Sequence, residues 1–198
     1  MKIQIGIDFL HFKFTLNFMN KFFESLDLIY KKITARTEKK VARFLLKNSM
    51  TLSVAESCTG GLLSSRLTDI AGSSAYTKEN YITYANEAKI KLLSVTPQTI
   101  EKYGAVSEEC ALEMVKGLFE KTGCDISIAT TGIAGPGGIN ENKDAGLLFV
   151  AIKSNFSSAV RKFELNPKIS RKKMKFLFTQ KALEFLLEFL SEKSNIKY

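Results

Sequence analysis

From Thr37 onward, apolar residues recur in two periods, one of three to four positions and one of two, in alternating segments. The longer period marks amphipathic helices, and the shorter one is typical of strands. Ser107 is suited to a helix N-cap, with Glu108 and Glu109 in the first turn, and Gly123 is suited to the end of that helix. The pattern predicts helices over 37–48, from about 58 to 72, over 87–93, near 97, over 107–123 and from about 171, and strands over 51–55, 80–85, 125–131, 146–152 and 159–165.

The order of these segments predicts the fold class. Strands joined through a helix pair in parallel, whereas the two strands joined across 154–158 form an antiparallel hairpin. We therefore expect an α/β fold, a three-layer α/β/α sandwich around a mixed, mostly parallel sheet. The 198 residues suffice for one domain with a full core, which we assign to residues 37–198.

Residues 1–36 form an apolar leader that precedes the regular pattern. Asp8, His11 and Lys13 interrupt it before a membrane-spanning length develops, and no small-residue cleavage site follows. We therefore expect neither a signal peptide nor a transmembrane helix, and no membrane partner. Two interpretations stay open: an N-terminal extension of unknown role, or a start placed too early, with Met19 as the initiator.

Charge and cysteine content restrict the classes of partner and the cellular compartment that we expect. The formal net charge is +9, which favours anionic partners, but the basic residues are spread out and show no nucleic-acid fold signature. We expect a surface that assists a phosphorylated small molecule rather than a nucleic-acid groove. Cys58, Cys110 and Cys124 are widely spaced without a C-x-x-C pair, which argues against disulfides and zinc and favours a reducing cytoplasm, with Cys110 and Cys124 in the core.

The scarcity of histidine restricts the available chemistry. His11 is the only histidine, so a Ser-His-Asp triad, a Cys-His pair and a histidine metal site are all disfavoured. A catalyst built on this chain needs lysine, tyrosine or a carboxylate as its base, and a neutral lysine can take a serine proton. Burial or a neighbouring cation must then lower the lysine pKa from its ordinary value.

The segment "VAESCTGG" (54–61) runs from a strand into small polar residues and glycines. There Ser57 would stand where the strand meets a helix, the position in which open α/β sheets bind ligands. The N–H groups of Cys58, Thr59 and Gly60 would then face a developing oxyanion, assisted by the helix dipole, and Gly60 and Gly61 would leave room for substrate. Two alternatives remain at this stage: Ser57 as a plain N-cap, and Cys58 as the nucleophile, which we rank below serine.

A second segment, "TTGIAGPGG" (130–138), is a glycine-rich loop after a predicted strand. Such a loop can receive a phosphate or ribose, although a structural turn is an equal reading. It matches neither G-x-G-x-x-G nor the P-loop pattern. Arg171, at the start of the last predicted helix, is either a phosphate clamp or an ordinary surface charge.

Five segments occur in order along this domain. They are "AESCTGG" (55–61), "GSSAY" (72–76), "TYANEAKIKLLSV" (83–95), "GAVSEECALEM" (104–114) and "TTGIAGPGG" (130–138). Together they resemble the CinA C-terminal family, whose members include nicotinamide-nucleotide amidases. The resemblance runs from about residue 37 to about residue 190.

The resemblance implies a cytoplasmic amidohydrolase, a homodimer, that converts nicotinamide mononucleotide (NMN) and water to nicotinic acid mononucleotide and ammonia. It implies a serine–lysine mechanism that needs no metal and no cofactor. Ser57 would be the nucleophile, Lys89 the general base and Tyr84 a hydrogen-bonding partner within the dyad. The loop residues Thr131, Gly132, Ala134 and Gly135 would hold the ligand. Arg171 would lie near the substrate phosphate and near Lys89, where its charge would lower the lysine pKa.

Alternatives remain beside this reading. Lys91 is a second candidate base, but two positions further along a helix it points to a different face. The chain departs from the family pattern at residues 78–80, 144 and 169–170, all of which we place in loops. These departures motivate an alternative function, a non-catalytic regulatory module that binds a nucleotide or phosphosugar. Nucleic-acid binding through the basic surface is a third hypothesis and would weaken steeply with salt.

Overall fold

The structure is a computed structural model that describes Met19 and residues 37–137 and 144–194. The chain divides into two units, Met1–Arg36 and Thr37–Tyr198. Apart from Met19, the leader lies outside the described residues, so both interpretations of it stay predictions. In the described part of the chain, no helix is long and apolar enough to cross a membrane.

The second unit alternates helices and strands as the hydrophobic periods predict. The helices are α1 (37–47), α2 (Leu62–Thr68), α3 (Asn86–Leu93), α4 (Pro97–Tyr103), α5 (Glu108–Thr122) and α6 (Arg171–Ser194), with a short 3₁₀ turn at Ser73–Ala75. The strands are β1 (Leu52–Glu56), β2 (Thr77–Ile82), β3 (Ile126–Gly132), β4 (Leu147–Ser154) and β5 (Ser158–Glu164). The predicted caps of α5 are confirmed: the Ser107 hydroxyl accepts from the N–H of Cys110 at 3.1 Å, and Gly123 ends the helix with a φ of 56°.

The five strands form one mixed sheet in the order β2-β1-β3-β4-β5. β1 pairs in parallel with β2 and β3, whereas β4 runs antiparallel to β3 and to β5. Four of the five strands therefore run in one direction, which confirms the predicted mixed, mostly parallel sheet. Because β1, β2 and β3 are parallel, their carboxyl ends meet at one edge, and a ligand crevice is expected there.

Helices cover both faces of the sheet and complete the predicted three layers. α1, α2 and α6 pack on large side chains of one face, such as Val54, Ile128 and Val150. α3 and α5 pack on the other face, where Ala55, Ala129 and Ala151 lie side by side across β1, β3 and β4. This row of small residues gives α5 a close approach to the sheet.

A buried ion pair connects the three helices of the first face. Arg66 of α2 donates to the Glu38 carboxylate of α1 and, through its other nitrogens, to the side chains of Thr179 and Gln180 of α6 at 2.7 Å each. Both charged side chains are almost completely buried. A buried arginine is tolerated when its donors are satisfied in this way.

Two sequence-based boundaries are wrong. The helix expected from residue 58 begins only at Leu62, because Gly60 and Gly61 adopt φ values of 58° and 90°, which a right-handed helix excludes. The strand expected over 80–85 is β2, Thr77–Ile82, so residues 78–80 lie in a strand rather than in a loop and residues 83–85 lie beyond its end. The Asn80 side chain accepts a hydrogen bond from the N–H of Val54 at 3.1 Å. That departure from the family pattern is therefore at the edge of the sheet.

The contact between α5 and α3 predicts that replacing Gly117 with alanine destabilises the protein. A Cβ on Gly117 would lie 1.7 Å from the carbonyl oxygen of Leu93, so Gly117→Ala must push the two helices apart. In an exposed helix, replacing glycine with alanine raises the free energy of unfolding by about 1 kcal/mol. Here we expect a loss of about 3 kcal/mol in the free energy of unfolding, measured by urea denaturation.

Glu120→Ala, on the exposed side of the same helix, is the matched control for Gly117→Ala. It should change the free energy of unfolding by no more than about 0.5 kcal/mol. A Gly117→Ala protein that is as stable as the wild type would show that α3 and α5 are not in this contact.

Candidate active site

The turn that carries Ser57 leaves β1 at the carboxyl edge of the sheet. The N–H of Ser57 donates to the carbonyl of Thr130 on β3 at 3.0 Å, which continues the strand ladder by one residue. Thr59 reinforces this attachment, because its hydroxyl lies 2.9 Å from that of Thr130 in a fully buried contact. The N–H of Gly60 then turns back to the carbonyl of Ser57 at 3.1 Å. Ser57 is thus held on both sides by backbone hydrogen bonds.

The carboxylate of Glu56 caps α2 from inside the protein. It accepts from the N–H groups of Gly61 and Leu63 at 3.0 Å each, and from the N–H and hydroxyl of Ser64 at 2.8 and 2.6 Å. These donors are the amides that a helix start leaves unpaired. The N-cap alternative for Ser57 is therefore wrong, because the Glu56 carboxylate accepts the hydrogen bonds from the N–H groups at the start of α2.

The same capping changes the expected oxyanion site. The positive end of the α2 dipole is compensated by the Glu56 carboxylate, and the N–H of Gly60 is already bonded to Ser57. Neither is available for a substrate oxygen, contrary to the sequence-based expectation. The N–H groups of Cys58 and Thr59 are the expected donors that remain, and Thr59 is fully buried.

Lys89 reaches Ser57 from α3. Helical side chains lean toward the N-terminus of their helix, and this directs Lys89 back over the segment that joins β2 to α3. Its Nζ lies 3.1 Å from the Ser57 Oγ and donates to the carbonyls of Thr83 at 3.0 Å and Tyr84 at 3.2 Å. Lys89 is 1% exposed and Ser57 is 8% exposed. Lys91, the alternative base, is exposed on another face of α3.

Burial lowers the pKa of the Lys89 ammonium below its ordinary value, against smaller opposing effects from Cys110, Cys58 and Glu87. The lowering has the predicted direction, but desolvation rather than the charge of Arg171 is its cause. A neutral amine has two N–H donors and one lone pair. The two carbonyls can take both donors, which leaves the lone pair for the Ser57 hydroxyl proton.

Tyr84 takes part in the site differently from what the family resemblance implies. Its backbone carbonyl, not its hydroxyl, binds Lys89. The hydroxyl oxygen instead accepts from Arg171 at 2.8 Å, and the side chain is 59% exposed. A second Arg171 nitrogen donates to the carbonyl of Gly135 at 2.7 Å. Arg171 therefore joins the β2–α3 segment to the glycine loop.

The glycine loop approaches the Ser57 turn closely. The Thr131 hydroxyl donates to the carbonyl of Ala105 at 2.7 Å, which ties β3 to the segment before α5. A Cβ on Gly132 would lie 2.5 Å from the Leu147 carbonyl oxygen and 3.2 Å from the Cys58 sulfur. Glycine at this position is what allows the strand to pass behind the Ser57 turn.

A cavity of about 370 Å³ opens over the dyad. Of the expected site residues, it is lined by Ser57, Cys58, Tyr84, Lys89, Thr131, Gly132, Ala134 and Arg171. Thr59, Gly60, Gly61 and Gly135 are outside its lining and support the turns behind it. Sequence reasoning missed Asn86, Ala105, Val106, Ile133 and Gly137 as lining residues. All five lie within the segments that resemble the CinA C-terminal family. The sequence therefore indicated their segments but not their individual roles.

Cys58 is adjacent to Ser57, but its thiol is buried. Burial, reinforced by the Glu56 charge, raises the pKa of its thiol to about 12. The thiol is therefore protonated near neutral pH, which favours serine as the nucleophile. Cys110 and Cys124 are buried in the core, as predicted. Within residues 37–137 and 144–194, no three His, Cys, Asp or Glu side chains are grouped so as to hold a metal ion.

Comparison with known families identifies the domain. The family model described as CinA C-terminal domain matches residues 34–190. The chain belongs to this family. A CinA-like protein of Chlorobium limicola is 45% identical over 167 residues, which are 83% of this chain and 39% of that protein. A putative competence-damage inducible protein of Alkaliphilus oremlandii is also 45% identical, over 158 residues, 80% of this chain and 38% of that protein.

Solved structures of CinA proteins share the fold. The competence/damage inducible protein CihA from Agrobacterium tumefaciens superposes with a TM-score of 0.77 at 34% identity, over 80% of this chain and 95% of that one. A CinA superfamily protein from Klebsiella pneumoniae gives 0.76 at 31% identity, over 80% and 98%. The chain spans about two fifths of the length of the curated CinA relatives given above.

The Glu56 cap predicts a measurable loss of stability on neutralisation. Glu56→Gln keeps the side-chain shape but replaces one acceptor oxygen with an NH₂ group that faces N–H donors. We expect the free energy of unfolding to fall by about 1–3 kcal/mol in urea denaturation. Glu120→Gln, an exposed change in α5, is the control and should have little effect. A Glu56→Gln protein of wild-type stability would contradict the capping role.

Proposed function

We propose that this CinA-family chain is an amidohydrolase of pyridine nucleotide salvage that converts NMN and water to nicotinic acid mononucleotide and ammonia. The observation that carries the proposal is the 3.1 Å contact between Ser57 Oγ and a buried Lys89 Nζ whose pKa is lowered. This is a nucleophile beside a base that can be neutral, in a chain whose only histidine lies in the leader. The NMN substrate is suggested by the family resemblance.

In the acylation step, Lys89 takes the proton of the Ser57 hydroxyl while Oγ forms a bond to the carboxamide carbon. The carbonyl π electrons move to the oxygen, and the N–H group of Cys58, which lines the cavity, is our candidate donor to that oxyanion. When the oxygen re-forms its double bond, the C–N bond breaks. The Lys89 ammonium returns its proton to the departing nitrogen, which leaves as ammonia. The product of this step is an ester on Ser57.

Water completes the cycle through the same lysine. Lys89 takes a proton from a water molecule as the water oxygen attacks the ester carbon. The second adduct then breaks its bond to Oγ, and Lys89 returns the proton to Ser57. The free enzyme is restored, and nicotinic acid mononucleotide leaves as the carboxylate after its carboxylic proton passes to solvent. No metal ion or cofactor has a role in either proposed step.

The cavity lining suggests how the substrate is oriented. The proposed reaction requires the pyridine carboxamide to lie over Ser57 and Lys89, which both line the cavity. The ribose and phosphate then extend toward the glycine loop and Arg171, which lines the same cavity. Tyr84 would border the substrate and help to hold Arg171 in place. A homodimer, a cytoplasmic location and the absence of a nucleic-acid partner stay predictions from the sequence.

The alternative is a regulatory module that binds a nucleotide or phosphosugar without turnover. It uses the same loop and the same arginine, so binding alone does not separate the two functions. Consumption of the ligand separates the two functions. A module leaves NMN intact at high protein concentration, whereas an amidase consumes it.

The first test is ammonia release from NMN by the purified full chain in the presence of EDTA. We expect release by the wild type, loss to background in Ser57→Ala, and a loss of about 10²–10⁴-fold in Lys89→Met. Lys91→Met is the matched control, since Lys91 is exposed on the same helix, and it should keep wild-type activity. Full activity in Ser57→Ala would refute the mechanism.

The lowered pKa of Lys89 predicts the pH dependence. The neutral amine is the active form, so kcat/KM should rise with pH along a limb centred below 10.5, the ordinary lysine value. Between the lowered pKa of Lys89 in the folded state and 10.5, the folded state also binds fewer protons than the unfolded state. The unfolding free energy of the wild type, relative to Lys89→Met, should therefore rise by about 1.4 kcal/mol per pH unit there. A limb centred at or above 10.5 would contradict a buried base.

A further inference from the structure

Lys175 of α6 lies beside the Ser57 turn, although the sequence motifs did not single it out. Its Nζ is 3.0 Å from the position that a Cβ on Gly60 would take. The absence of a side chain at Gly60, whose φ is 58°, therefore makes room for the ammonium. The Lys175 charge also acts on the Cys58 thiol, lowering its pKa against the larger effect of burial. The cation is thus within electrostatic range of a residue that lines the cavity.

Lys175 and Arg171 are one helical turn apart, so their side chains share a face of α6. Within the described residues, Lys175 has neither a hydrogen bond nor a salt bridge, and it is half-buried. Among the described residues, Arg171 donates to two neutral oxygens, those of Gly135 and Tyr84. Elsewhere on α6, by contrast, Lys181 is paired with Glu184. Arg171 thus lines the cavity and Lys175 lies beside the adjoining Gly60, and in the described part of the chain neither cation forms a salt bridge with a carboxylate.

We propose that Lys175 and Arg171 together bind the phosphate monoester of the substrate, and that Lys175 determines the preference for a nucleotide over the corresponding nucleoside. This inference rests on the proposed amidase function and adds to it a specificity residue. A phosphate monoester carries close to two negative charges and three acceptor oxygens, so it can accept from both cations. Arg171 supplies directional donors, and Lys175 supplies a compact charge. The first turn of α6 contains no acidic residue to repel the ligand.

The test compares NMN with nicotinamide riboside, which has the same amide and ribose but no phosphate. In Lys175→Met we expect KM for NMN to rise about tenfold or more, because one charge-assisted contact is lost. We expect kcat for NMN and both constants for the riboside to stay near wild type. Lys175→Arg should retain most of the NMN affinity. Lys173→Met, an exposed cation on another face of α6, is the matched control.

Each outcome decides the proposal. A selective rise in KM for NMN supports it, and equal effects on the two substrates, or no effect, overturn it. If the wild type hydrolyses neither compound, the amidase function fails and the phosphate site is tested by itself. Ribose 5-phosphate is then titrated calorimetrically into wild type and Lys175→Met. Binding that is weakened in the variant and by added salt supports the site, whereas absent or unchanged binding refutes it.

Discussion

The buried carboxylate of Glu56 is the constraint on which the site depends. A charge at this depth is tolerated only because four donors from the next eight residues converge on it. Those hydrogen bonds fix where β1 ends, how tightly the chain turns and where α2 begins. Ser57 lies inside that loop of contacts, so its position is set before any substrate arrives. In the proposed amidase reaction, this preorganisation of Ser57 would avoid a reorganisation cost.

The surroundings of Lys89 can satisfy both of its protonation states. Three oxygens surround its Nζ: the Ser57 hydroxyl and the carbonyls of Thr83 and Tyr84. An ammonium can donate to all three, and a neutral amine can donate to the two carbonyls while it accepts from the hydroxyl. Both protonation states are therefore satisfied with the same heavy-atom geometry. Burial then shifts the balance between the states without leaving a polar group unpaired.

The spacing of apolar residues and the capping residues predicted the helices and strands, because both features depend on residues that are close in sequence. Ser107 and Gly123 show this for α5. The start of α2 was misplaced because the positive φ values of Gly60 and Gly61 were not anticipated. Composition required only some base other than histidine, and the choice of Lys89 came from the family resemblance, since Ser57 and Lys89 are 32 positions apart. The capping role of Glu56 was missed because a strand residue rarely caps the helix that follows.

Strand order also determines when the site can form during protein synthesis. β1 lies between β2 and β3, and the Ser57 turn is tied to Thr130, so the nascent chain must extend beyond β3 before Ser57 is held in place. The link between Tyr84 and Arg171 spans 87 positions and forms later still. Such long-range pairings close slowly. Until β3 is made, β1 keeps one unpaired edge, which is a feature that favours non-native strand pairing.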